Sequence, residues 1–167
     1  MIIGMRHDTV DRLQQDWEEQ RPDLDSEPMG VVLRIQALAK KLGEQAEDSL
    51  QAFNLQWWQY DVLSALRRQG TPFVMAATEL ADATLLTTGA MTNRIDRLVS
   101  NKLVARQRDV KDRRRVLVRL TKKGLRVVEK ATEARFQTAL EAVTDLSDEQ
   151  RKQLSDLLRL LLSKQKD

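Results

Sequence analysis

Asn93 and Arg97 carry an amide and a guanidinium, the groups that read adenine and guanine edges in the DNA major groove. Gly89, Ala90 and Ser100 share their side of a helical wheel and are small enough to let a helix approach the bases closely. Met91, Ile95, Leu98 and Val99 fill the other side, as a buried flank would. Thr87 and Thr88 stand at the start of that helix, where hydroxyls and free backbone N–H groups can hold a phosphate. Downstream, residues 103–108 and 115–120 are β-prone stretches joined by Asp109, Val110, Lys111, Asp112, Arg113 and Arg114. An arginine-rich hairpin tip beside a recognition helix suits a narrow minor groove, where negative potential concentrates. Within it we read Arg113 as paired with a neighbouring aspartate, and Arg114 or Arg115, with Lys111, as facing DNA. The plainer alternative is a core helix with a solvated polar face followed by a charged loop. The helix alone does not separate the two.

Charge distribution favours the first. Between residues 94 and 123 twelve Lys or Arg stand against Asp96, Asp109 and Asp112, a balance of +9 in a chain of net +3, so the remainder carries −6. A basic block in an otherwise acidic chain is the sequence form of a polyanion-binding surface. Other chemistries are poorly served. The chain has no cysteine and a single histidine, His7, which excludes disulfides, thiolate metal sites and cysteine nucleophiles and leaves too little for a histidine-built metal site or catalytic triad. Phosphate-loop and dinucleotide glycine patterns are missing, so neither an enzyme nor a cofactor is expected. No apolar run is long enough to span a bilayer, and the first ten residues do not read as a signal peptide, so the expected place is the cytoplasm and no membrane partner is expected.

The elements that must position these residues are mainly helical. Apolar spacing predicts a first helix over 8–19, a break at Pro22, and a long helix over 28–53 that repeats Val32, Ile35, Ala39, Leu42, Ala46, Leu50 and Phe53. A third helix over 56–68 ends at Gly70-Thr71-Pro72, and a short one over 76–81 precedes the recognition helix over 87–101. A helix over 121–143 follows the hairpin. Ser147 to Gln150 is a capping box that opens a last helix with a stripe of Leu154, Leu157, Leu158 and Leu161. Trp57, Trp58 and Tyr60 read as core. The expected fold is mainly α, a winged helix-turn-helix with a helical dimerisation region and one small β-hairpin wing. Its expected divisions are an extra N-terminal helix with linker (1–27), a dimerisation helix (28–55), the winged helix-turn-helix (56–120) and C-terminal dimerisation helices (121–167).

Two strings, QYDVLSALRRQG and TTGAMTNRIDRLVSNKLVARQRDVKDRRRVLVRLTKKG, resemble the multiple antibiotic resistance regulator (MarR) family, and the order of elements is similar from about Pro28 onward. The family often has Pro after the first aspartate of the wing tip; here that residue is Val110. The resemblance implies a homodimer on double-stranded DNA and a ligand-responsive regulator. The leading string DRLQQDWEEQRPDLDSEPMG is similar to the urate-responsive branch of that family. That likeness implies a pocket for a small anionic aromatic ligand such as urate at Trp17, Asp61, Arg94 and Arg106. Two readings compete with it: Trp17 as a packing staple and Asp61 with Arg94 as a structural ion pair. At the level of the whole chain, the alternatives are a DNA-binding regulator without a ligand, and a dimeric helical module whose basic hairpin binds an acidic protein.

Overall fold

Most helices begin at a side chain that satisfies free N–H groups. In the computed structural model, which describes residues 7–84, 87–109 and 115–164, the Asp8 carboxylate accepts from Val10 and Asp11 N–H and opens helix α1 (Thr9–Gln20). Thr121 caps the helix after the wing, and Ser147 with Gln150 forms the expected capping box of the last one. Each predicted helix is present, with its ends within a few residues of the expected ones. The chain divides into two compact units, residues 1–45 and 46–167.

In the first unit α1 packs on the leading part of α2 (Glu27–Gln51). Arg34 gathers Asp8, Asp11 and Gln14 around its guanidinium at 2.6–3.1 Å. The hydrogen bond from Arg34 holds the Asp8 carboxyl below the usual carboxylate range. Gly30 lets the helices close up, because a Cβ there would lie 2.4 Å from the Gln14 side chain. Trp17, Leu13, Leu24, Met29 and Leu33 line a hollow of about 230 Å³ in this unit.

The second unit holds the core. Leu50, Val62, Leu63, Leu66, Leu80, Met91, Ile95, Leu98, Val118 and Val128 are fully buried in it. It comprises the end of α2, α3 (Trp57–Arg68), β1 (Val74–Ala76), α4 (Ala77–Ala83), α5 (Thr88–Ser100), β2 (Val104–Arg108), β3 (Val116–Leu120), α6 (Lys122–Ala142) and α7 (Asp148–Ser163). The expected hairpin, β2 with β3, is antiparallel from Val104 opposite Leu120 to Arg108 opposite Val116. A third strand, not expected from the sequence, joins it: β1 pairs with the other edge of β3, giving the order β1-β3-β2. Gly70 and Phe73, both at positive φ, turn the chain from α3 into this strand, and Leu120 N–H donates to Phe73 O at 3.1 Å. Among the described residues no helix is long and apolar enough to cross a membrane.

Candidate nucleic-acid interface

Three side chains seat the recognition helix: Met91, Ile95 and Leu98 are at most 1% exposed. With that flank fixed, α5 presents Gly89, Asn93, Arg97 and Ser100 to solvent, with Ala90 half-buried beside them. Val99 lies half-buried at the edge of the flank. Thr87 is the N-cap, its hydroxyl oxygen accepting the Ala90 N–H at 3.3 Å, which leaves the hydroxyl proton available to a phosphate. Ser100 instead donates its hydroxyl to Asp96 O at 3.0 Å. Among the described residues no carboxylate pairs with Arg97. The Thr88 side chain and the wing-tip residues Lys111, Arg113 and Arg114 lie outside the described residues.

At the root of the wing the basic residues have partners. Asp109 N–H donates to Arg115 O at 3.3 Å and closes the hairpin. The Arg115 guanidinium, read from sequence as facing DNA, donates to Glu79 on α4 at 2.7 Å. Arg106 on β2 donates to Asp96 on α5 at 2.5 Å. Each wing strand or its root is thus strapped to one helix of the helix-turn-helix. Glu79 and Asp96 were not singled out from the sequence; only the position of Glu79, three residues after Ala76 as in a capping box, carried a signal.

Of the residues implied as a ligand pocket, Asp61 and Arg94 lie near enough to interact electrostatically. Asp61 is half-buried; desolvation raises its carboxyl above the ordinary 3.8, and the nearby Arg68 and Arg94 cations pull it back. The Arg94 guanidinium lies over the Trp58 ring, 5.4 Å from its centre. Arg106 is engaged by Asp96, and Trp17 belongs to the first compact unit. Of the aromatic trio, Trp58 and Tyr60 pack against the core as expected, while Trp57 is 44% exposed and has Arg135 over its ring at 5.2 Å.

The raised Asp61 value has a consequence for stability. In acid, below about pH 3.8, both folded and unfolded forms are protonated and the burial carries no ionisation cost. As pH rises the unfolded carboxyl ionises first, so stability falls until the folded one ionises too. Asp61→Asn is expected to remove this fall and to stabilise the chain at neutral pH, as read by urea midpoints between about pH 3 and 7. A variant less stable than wild type at neutral pH would show that the two arginines outweigh burial.

Comparison with known proteins places this geometry. The MarR family pattern matches residues 53–115, from just beyond α2 to the root of β3. The regulator PecS of Dickeya dadantii (strain 3937), described as an HTH-type transcriptional regulator, is 27% identical over 153 residues, covering 92% of each chain. The crystal structure of a mutant MarR from E. coli complexed with operator DNA superimposes with a TM-score of 0.68 at 25% identity, covering 87% of this chain and 97% of that one. AbsC, a MarR family transcriptional regulator from Streptomyces coelicolor, gives a TM-score of 0.72 at 25% identity over 84% of this chain and 94% of its own. The chain is thus similar to MarR-family winged helix-turn-helix proteins in fold and, over residues 53–115, in sequence pattern.

Proposed function

We propose that the chain is a sequence-specific DNA-binding transcription regulator of the cytoplasm, not an enzyme, which represses by binding an inverted-repeat operator as a homodimer. The observation that carries this reading is a recognition helix pinned by Met91, Ile95 and Leu98 with Asn93 and Arg97 turned to solvent. Thr87, Thr88, Gly89 and Ala90 would bring its first turn to phosphate and base edges. Lys111 and Arg114 would bring the wing tip to the minor groove, with Arg113 stiffening it. Operator DNA is the ligand in the E. coli MarR complex named above. Selection of duplexes from a random pool by the purified chain tests the reading. Selected sites with dyad symmetry and half-sites about one helical turn apart support it, whereas sites without symmetry, or no enrichment, refute it.

Reading and anchoring separate by mutation. Asn93→Ala and Arg97→Ala are each expected to lose about 1–3 kcal/mol on the selected site and to relax preference at particular base pairs. A uniform loss on every duplex would assign Arg97 to phosphate.

Release by a small anionic aromatic ligand such as urate is the second part of the proposal. The support is Arg94, whose guanidinium is stacked on Trp58 and lies in the field of the half-buried Asp61. A planar anion that draws on Arg94 pulls on the recognition helix itself, and it changes DNA affinity only as far as it prefers the released arrangement. Calorimetric titration of urate into wild type, Trp17→Phe, Asp61→Asn, Arg94→Ala and Arg106→Ala checks it. Binding that is equal in all five places the ligand elsewhere.

A further inference from the structure

Helix α4 begins without a capping hydroxyl, since Ala76 occupies the N-cap. Glu79 supplies the other half of a capping box: Oε2 accepts the Ala76 N–H at 3.0 Å, and Oε1 accepts from Arg115 Nη2 at 2.7 Å. Arg115 stands at the root of the wing. With Thr78 of α4, Thr92 of α5 and Arg106 of β2 it lines a hollow of about 400 Å³. Thr92 and Ile95 are the recognition-helix residues that line it, and Arg115 directly follows the wing tip that the proposed function brings to DNA. Its pair with Glu79 is half-exposed on both sides, at 47% and 53%.

We propose that Glu79 limits the sequence-independent part of DNA affinity: it occupies Arg115 and withholds a phosphate contact that would strengthen binding to every sequence alike. The inference rests on the DNA-binding function proposed above. Two physical facts set its direction. Exposed ion pairs contribute little to stability, so nothing but the carboxylate's charge keeps Arg115 from a phosphate. Were Arg115 to move, however, Glu79 would be left unpaired beside a polyanion, and that repulsion keeps the pair closed in wild type. Removing the charge at residue 79 removes the repulsion and frees the guanidinium together. A guanidinium released onto phosphate in this way adds affinity with no sequence information.

The test compares wild type, Glu79→Gln, Arg115→Gln and the double variant on the selected operator and on a scrambled duplex over a salt series. Glutamine at residue 79 retains the acceptor for the Ala76 N–H, so the cap survives. Glu79→Gln is expected to bind the scrambled duplex about 8-fold tighter at about 0.1 M salt, with log K falling more steeply against log salt by about 0.9. The operator is expected to gain by the same factor, so that the ratio of operator to scrambled affinity stays at its wild-type value, because the added contact is blind to sequence. Adding Arg115→Gln should restore both slope and scrambled-duplex affinity to wild-type values. An unchanged slope in Glu79→Gln, with affinity equal to or below wild type on both duplexes, makes the pair a plain structural strap and overturns the proposal. A tighter scrambled-duplex complex that persists in the double variant overturns it too, since Arg115 would then not be the residue released. Failure of wild type itself to prefer any sequence would be seen before any variant is made, and it refutes the DNA-reading function together with this inference.

Discussion

Leu157→Lys combined with Leu161→Lys is expected to give a monomer at micromolar concentration and to cut operator affinity by at least about 100-fold, the scale on which two linked half-site contacts outperform one. Helix α7 has sixteen residues and none is buried, although Leu154, Leu157, Leu158, Leu161 and Leu162 run along it. Phe136 and Leu140 near the end of α6 are exposed as well, at 74% and 55%. An isolated helix of this length gains little from propensity alone, so its apolar stripe requires a covering surface. A second copy of the chain would meet that need, and it would also supply the second recognition helix that the inverted-repeat operator proposed above requires. No residue of α7 belongs to the core cluster around Leu63 and Ile95, so the double variant should retain its winged-helix core. Sedimentation velocity and binding to full and half operators decide the matter. A dimer of wild-type affinity would remove α7 from the interface.

How far the sequence disclosed this arrangement depended on the distance over which each signal acts. Helix starts were legible because a cap acts within three residues: Asp8, Thr87 and Ser147 stand where the first, fifth and last helices begin. The recognition helix was legible because burial of Met91, Ile95 and Leu98 imposes a period, and the period identifies the opposite face. Strand β1 was not, because three residues are too few to show alternation, and its partner Leu117–Arg119 lies some forty residues away in sequence. The destinations of the arginines were hidden for the same reason. Arg115 meets Glu79 across 36 residues and Arg106 meets Asp96 across ten, so only the folded chain decides which carboxylate each one finds. From composition these looked like interchangeable members of one basic block; in the structure two of them fasten the wing.

The close approach of α6 to the wing root rests on one glycine, and Gly124→Ala is expected to destabilise the chain by about 3 kcal/mol or more, at or above the upper end for overpacking. A Cβ on Gly124 would lie 1.9 Å from Leu103 O and 2.9 Å from Leu103 C. These are backbone atoms and cannot swing aside as a side chain would. Leu103 O is already committed, accepting the Thr121 N–H at 3.0 Å, while the Thr121 hydroxyl accepts the Gly124 N–H at 2.9 Å. The start of α6, the end of the turn after α5 and the base of both wing strands therefore meet at one point. Relief of the clash must move α6 or the wing, and either shift breaks that set of hydrogen bonds. Gly43→Ala is the matched control, since nothing lies within 4 Å of a Cβ there and it sits inside α2. It should stabilise by up to about 1 kcal/mol through helix propensity. Urea unfolding of the two variants beside wild type measures both changes. A Gly124→Ala protein as stable as wild type would show that α6 and the wing root are free to separate, and the wing would then not be held against the recognition helix in the way described.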